Sequence, residues 1–237
     1  LVVSAGLSPM PAREVNAAVT RLGDSLKQNV PLRRYLLDLY ATSCPACQRP
    51  TAADYFVWDR EQGAPVAKQV RCPACDWDGR AALDAEDLAR LGEVQPKAMH
   101  YYFVLERVLH LTERNVTRNR LESMLGLYSP RNLYALAELT LKIESLFPEG
   151  PAHDVLKVAL LDCLDRCSSL TPLPASTARP RGLARPSRFM ERNVWYAFEE
   201  AVNRLQSSPP KPVPNLAGTL GEFQGAMEDW AGYVGPG

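Results

Sequence analysis

The tetrapeptide Cys-Pro-Ala-Cys occurs twice, at residues 44–47 and 72–75, and no other feature restricts the fold of this chain as tightly. A Cys-x-x-Cys turn offers two thiolates to one side of a tetrahedral ion, and a second such turn closes the shell. The 24 residues between Cys47 and Cys72 exceed the usual spacing of roughly 15–20 for this pattern. A hairpin with a generous tip accounts for the excess. Residues 55–58 and 66–70 are β-prone, and the turn-like Asp59-Arg60-Glu61-Gln62-Gly63 separates them. The pattern predicts one zinc ion held by Cys44, Cys47, Cys72 and Cys75. Four thiolates leave no open coordination position, so the ion is expected to be structural and to brace neighbouring helices. The competing reading, a thioredoxin-like redox pair, needs only one Cys-x-x-Cys and a βαβ setting.

Hydrophobic residues make up 46% of the 237, normal for a packed globule. Lysine plus arginine and aspartate plus glutamate both number 27, so the net charge is zero and any polyanion must be met by a local patch. No stretch approaches the ~20 apolar residues of a membrane span. Residues 1–7 are apolar but lack a charged leader and a long enough core for a signal peptide. Six cysteines without an export signal indicate a reducing, cytoplasmic setting. The chain starts at Leu1 and reads as a piece of something longer, entering in the middle of a buried strand.

Helical spacing dominates elsewhere. After Ser8-Pro9-Met10-Pro11, apolar Val15, Ala18, Val19, Leu22 and Leu26 recur at helical intervals, and 32–40 restarts as a short helix. Asp84 with Asp87 is a capping-box-like start. Residues 100–105 suggest a buried strand. Ser129-Pro130 opens a helix carrying Leu133, Leu136, Leu139, Leu141 and Ile143. Further helices are expected at 152–168 and 188–205, separated by a proline-rich loop at 171–187. A second proline-rich break at 207–214 precedes a weak amphipathic tail through Leu216, Leu220, Phe223 and Met227. The expected fold is therefore mainly α, a helical domain with an inserted small β zinc ribbon. Its segments are 1–40, the ribbon at 41–80, the helical domain at 81–206 and a linker with tail at 207–237.

Other candidates divide between chemistry and packing. Cys163 and Cys167 lie on one helical face with Leu156, Leu160 and Leu164 and have no partner pair, so they read as core. His100, His110 and His153 stand apart from any ligand-spaced cluster. Trp195, Phe198 and Val202 form a core stripe. Arg179, Arg181, Arg185, Arg188 and Arg192 oppose only Glu191 between 171 and 192. Such a run suits phosphate contacts, because guanidinium matches phosphate geometry. A solvated basic loop with internal salt bridges is the other reading, and both stay open. The ribbon balances five basic with five acidic side chains, and its thiolates make it more negative. Two near-motifs are rejected. Ser207-Ser208-Pro209-Pro210-Lys211 lacks the aromatic that a Pro-Pro-aromatic methyltransferase motif needs, and Gly218-Thr219-Leu220-Gly221 follows no strand. No catalytic or cofactor motif is visible.

Five stretches in order carry a family resemblance. They are Leu7-Ser8-Pro9-Met10-Pro11-Ala12-Arg13-Glu14, then 39–47 and 67–75 around the cysteine pairs. Leu127-Tyr128-Ser129-Pro130-Arg131-Asn132-Leu133-Tyr134-Ala135-Leu136 and Arg188-Phe189-Met190-Glu191-Arg192-Asn193-Val194-Trp195 complete them. The chain resembles bacterial DNA methylases that carry a zinc ribbon, relatives of adenine-specific methyltransferases, over most of residues 1–206. The resemblance implies S-adenosylmethionine chemistry in a full-length protein. It places the cofactor loop before the region of Leu7 and the catalytic Pro-Pro-Tyr after that of Leu205, so no catalytic residue transfers to this chain. It also implies DNA as partner. A non-enzymatic zinc-ribbon adaptor and a purely structural scaffold are the alternatives.

Overall fold

The structure is a computed structural model that describes residues 10–93, 123, 125–173 and 185–207. Helix α1 (Ala12–Asp24) starts directly after Pro11 and buries Val15, Ala18 and Leu22, the spacing read from the sequence. Leu26 falls outside that face. It sits in strand β1 (Leu26–Lys27) and is 59% exposed. The chain has already turned there: Gln28 and Asn29 both adopt positive φ, 52° and 64°, and return it as β2 (Val30–Pro31). This is a tight two-residue hairpin of the kind that needs left-handed residues. Helix α2 (Leu32–Asp38) then buries Leu32 and Leu36.

The next four strands, β3 (Ala41–Ser43), β4 (Pro50–Asp59), β5 (Ala64–Arg71) and β6 (Asp78–Ala82), are antiparallel neighbours in chain order. A fifth, β7 (Arg188–Arg192), pairs with β4 from Tyr55↔Arg192 to Asp59↔Arg188. The expectation of a mainly α chain with a small β insert is thus corrected. The fold combines six helices with a five-stranded and a two-stranded sheet among the described residues. Residues 188–192, expected to open a helix, are instead a strand. Their partners lie some 130 positions upstream, so no local period announces the pairing. Phe189, Met190 and Glu191 are all buried, which hides the alternation that marks a half-buried strand.

Helices α3 (Ala85–Glu93), α4 (Pro130–Leu146), α5 (Pro151–Arg166) and α6 (Val194–Ser207) complete the described elements. The expected caps form. Asp87 N donates to Asp84 Oδ1 at 2.8 Å and Asp84 N to Asp87 Oδ2 at 3.1 Å, a reciprocal capping box. Asn132 N donates to Ser129 Oγ at 3.2 Å. Asn193 caps α6 by accepting from Trp195 N and Tyr196 N. One core joins Leu22, Leu36, Leu139, Ile143, Leu156, Trp195 and Phe198 with Cys44 and Cys72 of the paired-cysteine loops. Cys163 and Cys167 are buried in it, and burial pushes both thiols up, Cys167 to about 12. They are inert core residues.

Two buried polar joints fasten sheet to helices. At the first, Glu191 accepts from Trp58 Nε1 at 2.8 Å and from the Ser129 hydroxyl, and lies 3.6 Å from Arg131 Nε. Arg131 covers the Phe56 ring at 4.3 Å and donates to Leu39 O, while Tyr40 donates to Asn132 Oδ1 at 2.7 Å. Burial, then the Glu191 charge, holds the Tyr40 hydroxyl well above its ordinary pKa. At the second joint, the Lys68 ammonium donates to Asp87 at 2.6 Å, Thr42 at 2.7 Å and Asp84 at 2.8 Å. Burial draws the Lys68 pKa down, and the two carboxylates outweigh it, so the group stays charged. Asp87 is the one buried residue of α3, so this helix is held to the sheet by charge rather than by apolar contact. The predicted strand at 100–105, His100, His110 and the tail beyond 207 lie outside the described residues.

Candidate metal centre and its surroundings

Each Cys-Pro-Ala-Cys forms the same knuckle. Cys44 N donates to Arg49 O at 3.0 Å and Gln48 N to Cys44 O at 2.9 Å; Cys72 N donates to Trp77 O at 2.8 Å and Asp76 N to Cys72 O at 2.9 Å. Both knuckles close on a left-handed residue, Gln48 at φ 61° and Asp76 at φ 57°. The β4–β5 hairpin brings them together. Cys44 Sγ lies 3.7 Å from Cys75 Sγ and Cys47 Sγ 3.7 Å from Cys72 Sγ, and all four sulfurs fall within 4.8 Å of one another. They are placed to hold one metal ion. Burial raises the Cys44 thiol, but the amides of Cys47 and Ala46 and the neighbouring sulfurs bring it down to about 7. Those inward amides are what a thiolate cluster requires. Cys163 and Cys167 are absent from the cluster.

The left-handed positions yield a prediction. A side chain there costs about 1–2 kcal/mol, partly offset by the chain entropy a glycine would lose. Gln48→Gly is expected to raise stability by about 0.5–1 kcal/mol, and Asp76→Gly by less, because aspartate tolerates this region better. Thermal melts of the metal-loaded chain check the order; a loss in both variants would contradict it.

Three of the five sequence-predicted arginines fall among the described residues. Arg179 and Arg181 lie outside the described residues. Arg185 is exposed at the start of the β7 segment. Arg188 pairs with Asp59 at 3.2 Å, and Arg192, in the sheet, pairs with Glu200 at 3.0 Å. His153, the third histidine, lies 3.2 Å from Asp154 through its Nδ1. Between the open face of the sheet and α6 runs a groove of about 850 Å³. Asp54, Asp76, Asp78, Glu199 and Glu200 line it against Arg71 and Arg192, a balance that opposes phosphate. Among the described residues no helix is long and apolar enough to cross a membrane. Comparison with protein-family models, with curated proteins and with solved structures found no match.

Proposed function

We propose that this chain is a non-catalytic stretch of an S-adenosylmethionine-dependent DNA methyltransferase, one that transfers methyl to an exocyclic base amine. In this reading it carries a structural zinc ion and helps hold DNA. A tetrahedral zinc–thiolate shell with bonds of about 2.3 Å separates its sulfurs by about 3.8 Å. The 3.7 Å spacings of the two cross-knuckle pairs suit that shell. Bound there, the ion ties the two knuckles together and supplies no open position for chemistry.

The observation that carries the methylase reading is where the resembling stretches lie. The two most distinctive, around Ser129-Pro130-Arg131-Asn132 and Glu191-Arg192-Asn193, meet at one buried joint although Ser129 and Glu191 are 62 positions apart. The stretches that carry the resemblance thus include fasteners of this architecture. Enzymes acting on a base must extrude it from the duplex, so a rigid accessory region that grips DNA has a physical role.

The purified chain is expected to bind one zinc and to transfer no methyl group from labelled S-adenosylmethionine to DNA. The flanking coding sequence is expected to encode a Gly-rich loop after a strand upstream and a Pro-Pro-aromatic motif downstream. Robust transfer by the chain alone, or flanks lacking both motifs, would overturn the reading. The second outcome would favour the adaptor.

A further inference from the structure

Arg60, at the tip of the β4–β5 hairpin, carries a charge that nothing described in the fold cancels. Its Nε donates to Pro186 O at 3.0 Å, its Nη2 to Ser169 O at 3.1 Å, and its guanidinium lies 5.1 Å from the centre of the Phe189 ring. These contacts orient the side chain, but carbonyls are neutral and a guanidinium keeps its proton. Among the described residues no carboxylate pairs with Arg60 or with Arg185. The preceding residue, Asp59, is already engaged: one oxygen meets Arg188 and the other accepts from the amides of Glu61 and Gln62. Arg185 directly precedes Pro186, whose carbonyl Arg60 holds, and burial, then the Arg185 charge, draws the Arg60 pKa down. Arg60 also holds the backbone of Ser169, whose buried hydroxyl has no hydrogen-bond partner among the described residues. Two guanidiniums with no carboxylate partner among the described residues form the complement of an anion. Arg60 uses two of its five N–H donors, and three remain.

We propose that Arg60 and Arg185 form a phosphate site at the hairpin tip, filled by a phosphodiester of nucleic acid. The proposal rests on the DNA reading above and deepens it. It moves the contact to a ribbon residue, Arg60, that the sequence did not single out. It leaves out Arg188 and Arg192, which pair with Asp59 and Glu200.

The zinc-loaded chain is titrated with a short labelled DNA duplex between about 50 and 200 mM salt. Each lost phosphate contact should flatten the log–log salt slope by about 0.9. Arg185→Ala should show that change with an unaltered Tm, since the side chain is exposed. Arg60→Gln should show it too, with some loss of Tm from its carbonyl contacts. Arg49→Ala, an exposed arginine at the first knuckle, should keep the wild-type slope. If DNA binds and neither Arg60→Gln nor Arg185→Ala alters the slope, the site is wrong while the DNA reading stands. If duplex does not bind, inorganic phosphate is added to thermal melts. A rise in Tm that Arg185→Ala abolishes would keep the anion site and remove DNA as its ligand. No rise would overturn both.

Discussion

Replacing Cys72 by serine should release the metal and lower the melting temperature of the whole chain by about 10–20 °C. Metal binding and folding are coupled, and the binding free energy of a four-thiolate site is on the order of 10 kcal/mol, so losing one ligand should cost about 5. For a chain of this size each kcal/mol moves Tm by about 2–4 °C. The effect should spread because Cys44 and Cys72, 0% and 1% exposed, belong to the same core as Leu36 and Trp195. Strand β7 and the Asn193 bond to Ala53 O, 3.1 Å, tie the hairpin directly to α6. Chelation should therefore produce one cooperative transition. Cys163→Ser should retain the metal and lose only ~1 kcal/mol, the effect of burying a hydroxyl. Equal metal loss in both variants, or a separate ribbon melt well below the main one, would refute this account.

Glu191→Ala should destabilise the protein by about 3–5 kcal/mol, because it strands a buried charge. Arg131 is 2% exposed, and the Trp58 indole N–H and Ser129 hydroxyl would lose their acceptor as well. The charge, more than the number of bonds, should set the magnitude. The double variant Arg131→Met/Glu191→Gln should consequently recover much of the loss, since a methionine can stay packed on Phe56 and leaves nothing ionised. Urea unfolding of the single and double variants measures the coupling. A single-variant loss below about 1 kcal/mol, or strictly additive effects, would show that the joint is not electrostatically closed.

These two sites differ in how far the chain itself announces them. The knuckles were legible because their chemistry is local. A thiolate pair three residues apart, a capping box between Asp84 and Asp87 and a serine cap before Pro130 each involve contacts within a few positions. The core stripe of Trp195, Phe198 and Val202 was legible for the same reason, as was the burial of Cys163 and Cys167. Helical period reaches only as far as the next turn. It therefore carried the reading past Asn193 into residues 188–192, where the structure has a strand, and past Ser25 to Leu26, where the helix has ended.

What the sequence determined by itself is a site able to hold a metal ion: four sulfurs of fixed spacing and a hairpin that brings them together. What only the tertiary structure decided is which charges remain free. Glu191 stood out in the sequence as the lone acid among five arginines. Yet it turns inward to Arg131 and Trp58, while Arg188 and Arg192 find Asp59 and Glu200 on other elements. Among the described residues Arg60, within a ribbon whose charges balance, is left without an acid. Pairing between charges depends on distances set by strand register and helix packing, between residues as far apart in sequence as Asp59 and Arg188. A one-dimensional charge count contains none of those distances.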